Sequence, residues 1–284
     1  MNFKSGFVSI IGKPNVGKST LMNKLVGESI SIVSPKVQTT RHRIKGILNS
    51  DDYQIIFSDT PGIMKPAYKL QEKMMGAVES SFEDADVMLW MVEAREHQPD
   101  AGAAERLEDD LKFIEKKIRA KKVPFIVVVN KIDLLNETQL ETNIQYWQEK
   151  LKPDELIPLS ATENFNTDIL LKLILKYLPE NEPYFPKDEY TDRNERFFAA
   201  EIIRERILYN YQREIPYSVE VKVDAFTEDE KLIRIHANIY VLRDSQKAII
   251  LGHKGAAIKQ TASQARVNME KFFNKKVFLF VYFY

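Results

Sequence analysis

The chain contains no cysteine. That excludes disulfide staples and thiolate metal sites, and it fits a reducing compartment. No apolar run approaches the roughly 18 residues that a membrane-crossing helix needs. The opening stretch, MNFKSGFVSIIGKPN, runs straight into a strand-like pattern, so no signal peptide is expected. Charge of either sign is not in excess: 41 Lys and Arg balance 41 Asp and Glu. Any affinity for a polyanion must therefore come from local asymmetry. Internal repeats and long low-complexity segments are also missing. What remains is 284 residues of ordinary globular composition, 44% hydrophobic and 29% charged. That length suggests about two domains.

Residues 1–178 alternate short apolar runs with helical stretches. Strands are expected at 7–12, 53–59, 86–94, 124–131 and 155–161, with a further one near 43–50. Helices are expected near 18–26, 69–80, 100–120, 137–150 and 166–178. Near-continuous apolar strands alternating with helices predict an α/β domain, a mostly parallel sheet with helices on both faces. Ligands of such sheets bind outside the carboxyl ends of the strands. PENEPYFPKDEY (179–190) then brings three prolines and several acidic residues, and 179–192 reads as an extended linker. From 193 to 284 the expected order changes to α-β-β-α-α-β.

The segment from Gly12 to Ser19, GKPNVGKS, fits the phosphate-binding pattern GxxxxGK[ST] between a strand and a helix. Its glycines let backbone N–H groups approach phosphate oxygens, and the helix N-terminus adds a positive dipole end. Gly12, Lys13, Pro14, Asn15, Val16, Gly17, Lys18, Ser19 and Thr20 form the expected cradle. Lys18 would reach the β and γ phosphates, and Ser19 would ligate Mg²⁺.

NKID (130–133) ends the PFIVVV run on the same sheet edge. Asp133 can accept two N–H bonds from guanine, Asn130 can donate to the purine's other edge, and the Lys131 stem can lie along the ring. Adenine lacks that donor pair. A hydrogen bond to a charged group is worth about 1.5–3 kcal/mol, so two of them discriminate strongly. Ser160-Ala161-Thr162 ends the next strand, where the Ala161 N–H could meet guanine O6. Asp59 stands where a magnesium-side carboxylate would, in the switch candidate Asp59-Thr60-Pro61-Gly62-Ile63, and the Gly62 N–H could meet the γ-phosphate. Between cradle and Asp59, Thr39 and Thr40 are both candidates to ligate Mg²⁺ while the γ-phosphate is present, with Thr40 favoured. Loss of those contacts after hydrolysis would release both loops.

This set resembles the translation-factor-related P-loop GTPases over residues 7–178. QTTRH (38–42), DTPG (59–62), NKID (130–133) and SAT (160–162) look most like the Era family of bacterial ribosome-assembly GTPases. The resemblance bears on Ile63. Many GTPases carry a glutamine after DxxG to orient the attacking water; an isoleucine cannot do this. Backbone groups or a partner would then hold the water, and slow intrinsic hydrolysis is expected. In some relatives an asparagine matching Asn15 helps place K⁺, which makes K⁺ a second expected ion.

In the second half, Gly252-His253-Lys254-Gly255 is a GxxG between two helical segments. From Arg243 to Lys276 there are eight Lys and Arg against two acidic residues, a local excess in a neutral chain. That is the footprint expected of a phosphate-backbone binder. The type II KH module clamps about four nucleotides with such a turn. Residues 193–284 resemble that α+β module, with Ile250, Gly252, His253, Lys254, Gly255, Ile258 and Lys259 as expected RNA-binding residues. EIPYSVEV (214–221) also looks like the Era family.

The resemblance implies 16S ribosomal RNA near its 3′ end and the small ribosomal subunit as partners. It also implies a cytoplasmic protein with peripheral association at the inner face of the membrane. Family members continue past an end such as VFLFVYFY with a basic, polar tail, so the C-terminal tail is expected to be truncated. Two rivals predict different behaviour. A GTP-dependent adaptor would grip a protein or membrane surface instead of RNA. A P-loop kinase would prefer ATP and has no use for the NKID and SAT pair.

Overall fold

In the computed structural model, which describes residues 2–94, 111–112, 115–116 and 118–283, the apolar runs of the first half become six strands. They are β1 (Lys4–Gly12), β2 (Ile44–Asn49), β3 (Tyr53–Asp59), β4 (Val87–Glu93), β5 (Phe125–Asn130) and β6 (Glu155–Leu159). The sheet order is β2-β3-β1-β4-β5-β6. Only β2 pairs antiparallel, with β3; every other pairing is parallel. β4 and β5 are apolar along almost their whole length and buried on both faces, as central parallel strands require.

The helices of this part are α1 (Lys18–Val26), α2 (Lys69–Glu83), α3 (Glu137–Leu151) and α4 (Thr167–Tyr177). A capping box starts α3: Asn136 and Gln139 each accept the other's backbone N–H. The helix expected near 100–120 falls largely outside the described residues; residues 111–112, 115–116 and 118–121 are helical. Ile11, Trp90, Val127 and Trp147 anchor the core between these layers.

The second half follows the expected order: α5 (Glu195–Asn210), β7 (Val219–Glu228), β8 (Leu232–Val241), α6 (Asp244–Leu251), α7 (Ala256–Phe273) and β9 (Lys276–Phe283). β8 is central, antiparallel to β7 and parallel to β9. A bulge interrupts the β7–β8 ladder between Val223 and Ala225. Ile203, Ile207, Ile235, Ile250 and Met269 share the core of this sheet and its helices.

The chain divides into two compact units. One comprises residues up to Ser31 and Thr40–Asp192; the other comprises Ile32–Thr39 and the residues from Arg193 onward. Two expectations are thereby corrected. Residues 179–192, expected as an extended linker, are tied to the first sheet. Gln54 Oε1 accepts the N–H groups of Tyr184 at 2.8 Å and Phe185 at 3.0 Å, and Ile47 donates to Tyr190 O at 2.8 Å. The acidic, proline-rich stretch thus lies on the first sheet, where its backbone groups find partners. Second, Ile32–Thr39 groups with the second unit: the buried Arg204, paired with Glu201, donates to Thr39 O, and Tyr209 OH donates to Val33 O. Among the described residues, no helix is long and apolar enough to cross a membrane.

Candidate functional site

β1 ends at Gly12 and α1 begins at Lys18, so the cradle spans the turn at the carboxyl edge of the sheet. Both glycines are dictated by crowding. A Cβ on Gly12 would lie 2.4 Å from Met91 O, and one on Gly17, at φ 104°, would lie 2.3 Å from Asn130 Nδ2. Asn15 also has positive φ, at 63°. Lys18 is buried, and its ammonium donates to Lys13 O at 2.7 Å and Gly12 O at 3.2 Å. Those carbonyls hold its charge inside the loop where phosphates would sit. Val16 is buried beneath the turn, while Lys13, Pro14, Ser19 and Thr20 are partly exposed.

The magnesium-side expectation can be read from the hydroxyls around Asp59. Ser19 Oγ donates to Asp59 Oδ2 at 2.6 Å; Thr40 Oγ1 lies 3.0 Å from Ser19 Oγ and 3.3 Å from Asp59 Oδ2. Thr39 turns elsewhere, to Ser34 Oγ at 2.7 Å and Lys36 O at 2.6 Å. A third hydroxyl, Ser31 Oγ, also donates to Asp59 Oδ2, at 2.6 Å. Sequence reasoning missed Ser31; one serine among several in the stretch 29–34 carries no signal by itself. Burial pushes the Asp59 carboxyl above its ordinary value, against the bonds from Ser19 and Ser31 and the charge of Lys18. Asp59 Oδ1 is buried with no hydrogen-bond partner. A buried carboxylate with one unpartnered oxygen, its other oxygen against the Ser19 and Thr40 hydroxyls, is an all-oxygen donor set that suits a hard, oxygen-seeking dication.

Ile63 has a structural account. Its side chain is 3% exposed and lies in the core with Ile11, Val78 and Phe82, and its N–H donates to Gly12 O at 3.0 Å. Thr60 Oγ1 donates to Ile10 O at 2.8 Å, and Pro61 and Gly62 are buried. A Cβ on Gly62 would lie 2.4 Å from Pro14 N, so the DTPG turn presses directly on the cradle.

At the base end, Asn130 is a strut between three loops. Its Nδ2 donates to Val16 O at 2.7 Å, and its Oδ1 accepts the Ala161 N–H at 3.0 Å. The amide expected to face the purine and the N–H expected to face guanine O6 are engaged with each other here. Ser160 Oγ donates to Asp133 Oδ1 at 2.6 Å and so fixes the carboxylate that would read guanine. Lys131, at φ 66°, pairs with Glu93 at 3.2 Å.

In the second unit, Gly252 (φ 68°), Lys254 (φ 49°) and Gly255 (φ 77°) make the sharp turn between α6 and α7. His253, Lys254 and Lys259 are exposed, and Ile258 is half-buried against the core. Ile250 is a correction. It is 0% exposed within the core, while its neighbour Ile249 is 51% exposed. On this short helix the inward face takes residue 250, so it cannot meet an RNA base.

Comparison with known proteins agrees with this geometry. Residues 7–131 match the family described as 50S ribosome-binding GTPase, and residues 214–282 match the KH domain. GTPase Era of Syntrophus aciditrophicus (strain SB) is 48% identical over 279 residues, which cover 98% of this chain and 88% of that protein. GTPase Era of Staphylococcus haemolyticus (strain JCSC1435) is 41% identical over 277 residues, 97% of this chain and 90% of that protein. The crystal structure of a single-substitution variant of Aquifex aeolicus Era bound to GDP and AlF4⁻ superposes with a TM-score of 0.91 at 38% identity, covering 99% of this chain and 93% of that one. Era in complex with MgGDPNP and nucleotides 1506–1542 of 16S ribosomal RNA gives a TM-score of 0.89 at 38% identity, with the same coverages. At 41–48% identity over nearly the whole chain, with both the GTPase and the KH family matched, this chain belongs to the Era family of GTPases.

Proposed function

We propose that the chain is a slow GTP-hydrolysing switch that binds 16S ribosomal RNA near its 3′ end and assists assembly of the small ribosomal subunit. The observation that carries this reading is convergence. The cradle, the Ser19–Thr40–Asp59 cluster and the Asn130–Asp133–Ser160 group all stand at the carboxyl edge of one sheet. An exposed glycine turn of the KH type accompanies them in the same chain. A relative has been seen with MgGDPNP and a 16S ribosomal RNA segment together.

Ser19, Thr40 and Asp59 are the residues that would hold Mg²⁺, whose charge would stabilise the phosphate oxygens during transfer to water. The backbone N–H groups of Gly12–Ser19 and the Lys18 ammonium bind the phosphates. Asp133, tied by Ser160, accepts the guanine N–H pair. Ile63 offers no polar side chain to the attacking water, so intrinsic turnover is slow, and either backbone groups hold the water or a partner completes the site. Asn15 is the proposed neighbour of K⁺; turnover is faster in K⁺ than in Na⁺, and equal rates remove that ion from the reading. A cytoplasmic location with peripheral contact at the inner membrane face belongs to the same proposal through family resemblance.

Calorimetry tests the core of the reading. Magnesium-loaded protein binds GTP and GDP and rejects ATP; equal affinity for adenine nucleotides sinks it. The RNA part is tested by filter binding of 16S 3′ fragments to Gly252→Asp and Gly255→Asp variants. Unchanged affinity would favour a protein or membrane surface as the second domain's partner.

A further inference from the structure

Three hydroxyls converge on Asp59 Oδ2, and they are not equivalent. Ser19 and Thr40 belong to segments that would meet nucleotide and metal, so their positions depend on what is bound. Ser31 comes from the stretch just after α1 and is 3% exposed. Asn23, on α1, fixes that stretch from three directions. Its Oδ1 accepts the N–H of Ile30 at 3.0 Å and of Ser31 at 2.9 Å, and its Nδ2 donates to Ser31 O at 2.7 Å. The local backbone is thereby satisfied, and Ser31 Oγ is left aimed at Asp59 Oδ2, 2.6 Å away.

We propose that Ser31, aimed by Asn23, is a positioning residue for the magnesium-side carboxylate, holding Asp59 Oδ2 beside Ser19 and Thr40 whatever nucleotide is bound. The inference rests on the reading of Ser19, Thr40 and Asp59 as the metal side of the nucleotide site. A buried carboxylate tied by a fixed hydroxyl keeps one orientation. Without the tie, the group rotates, and part of the binding free energy goes into ordering it again. Partners that orient metal-holding groups in this way typically change metal affinity by about 10- to 100-fold when removed.

The test uses the full chain loaded with a fluorescent GDP analogue, with nucleotide release followed against free Mg²⁺ and in excess chelator. Ser31→Ala needs about 10-fold more Mg²⁺ for half-maximal retention. Its release rate in chelator stays that of the unmodified chain, and Ser31→Thr restores the curve. Asn23→Ala, which keeps the hydroxyl but frees it, moves the curve in the same direction. An unmoved Ser31→Ala curve beside a shifted Asp59→Asn curve overturns the role of Ser31 and leaves the metal-side reading standing. Faster release of equal size with and without Mg²⁺ also overturns it, because that marks a merely structural serine. If Asp59→Asn itself moves nothing, the metal-side reading falls and the inference falls with it.

Discussion

Gly17 and Gly255 both stand at positive φ, 104° and 77°, and each opens a helix. Their surroundings differ. A methyl at Gly17 would lie 2.3 Å from the Asn130 amide, whereas one at Gly255 meets nothing within 4 Å. The first turn is packed from behind by protein, which would hold its backbone rigidly around the proposed phosphates. The second is open at Gly255, as a close approach by a polynucleotide backbone needs, while at Gly252 a Cβ would lie 2.7 Å from the Ala257 Cβ. The same residue type therefore answers crowding at Gly17 and Gly252 and leaves space at Gly255. The pattern extends to the side chains: Asp59, Asn130 and Lys18 are buried, while His253, Lys254 and Lys259 are exposed.

The contrast can be broken first at its buried end. Asp133→Asn removes the carboxylate proposed to accept two guanine N–H bonds. At about 1.5–3 kcal/mol for each charged bond, GTP affinity by calorimetry drops by roughly 10²- to 10⁴-fold. Gly17→Ala comes next. It adds about 1–2 kcal/mol of left-handed strain to the loss of the Asn130 bonds, so GTP affinity falls by about 100-fold. Gly255→Ala carries only the strain, costs about 1–2 kcal/mol in chemical unfolding, and leaves GTP affinity unchanged. An equal loss of GTP binding in the two glycine variants would erase the distinction.

At the exposed end, Lys254→Ala with Lys259→Ala weakens 16S-fragment binding. Each change lowers the slope of log affinity against log salt by about 0.7 if the lysine sits on a single-strand phosphate. An unchanged slope would show that these lysines are solvated only.

The smallest expected effect is at Glu270. The Val277 N–H, with Arg266 and Lys276 nearby, holds its carboxyl below the ordinary glutamate value. Its folded value is therefore the lower one. The stabilisation is full above the ordinary glutamate value and is lost as pH falls through the folded value. Urea unfolding across pH should show Glu270→Gln converging on the unmodified chain in acid.

Much of this was legible in the sequence because phosphate and guanine recognition demand fixed residue types at fixed spacing. Gly12 to Ser19, Asp59, Asn130 and Asp133 fall at strand ends that apolar runs alone reveal. Other features depend on tertiary position. Ser31 matters only because Asn23 and Asp59 meet it across 8 and 28 residues of chain. Ile249 and Ile250 are indistinguishable by composition on an eight-residue helix, where a small rotation decides which enters the core. The engagement of Asn130 with Ala161 likewise required the two strand ends to be placed side by side.

The placement of residues 179–192 has a consequence for the molecule among its neighbours. β2 ends the first sheet, and its outer side would otherwise present unpaired amides and carbonyls. Ile47 donates instead to Tyr190 O, Asn49 Nδ2 to Glu189 O, and Lys45 N–H to Asp192 Oδ1. A row of groups that could recruit a strand from another molecule is occupied by the chain itself. The stretch that composition marks as a tether thereby acts as a guard against polymerisation through that margin.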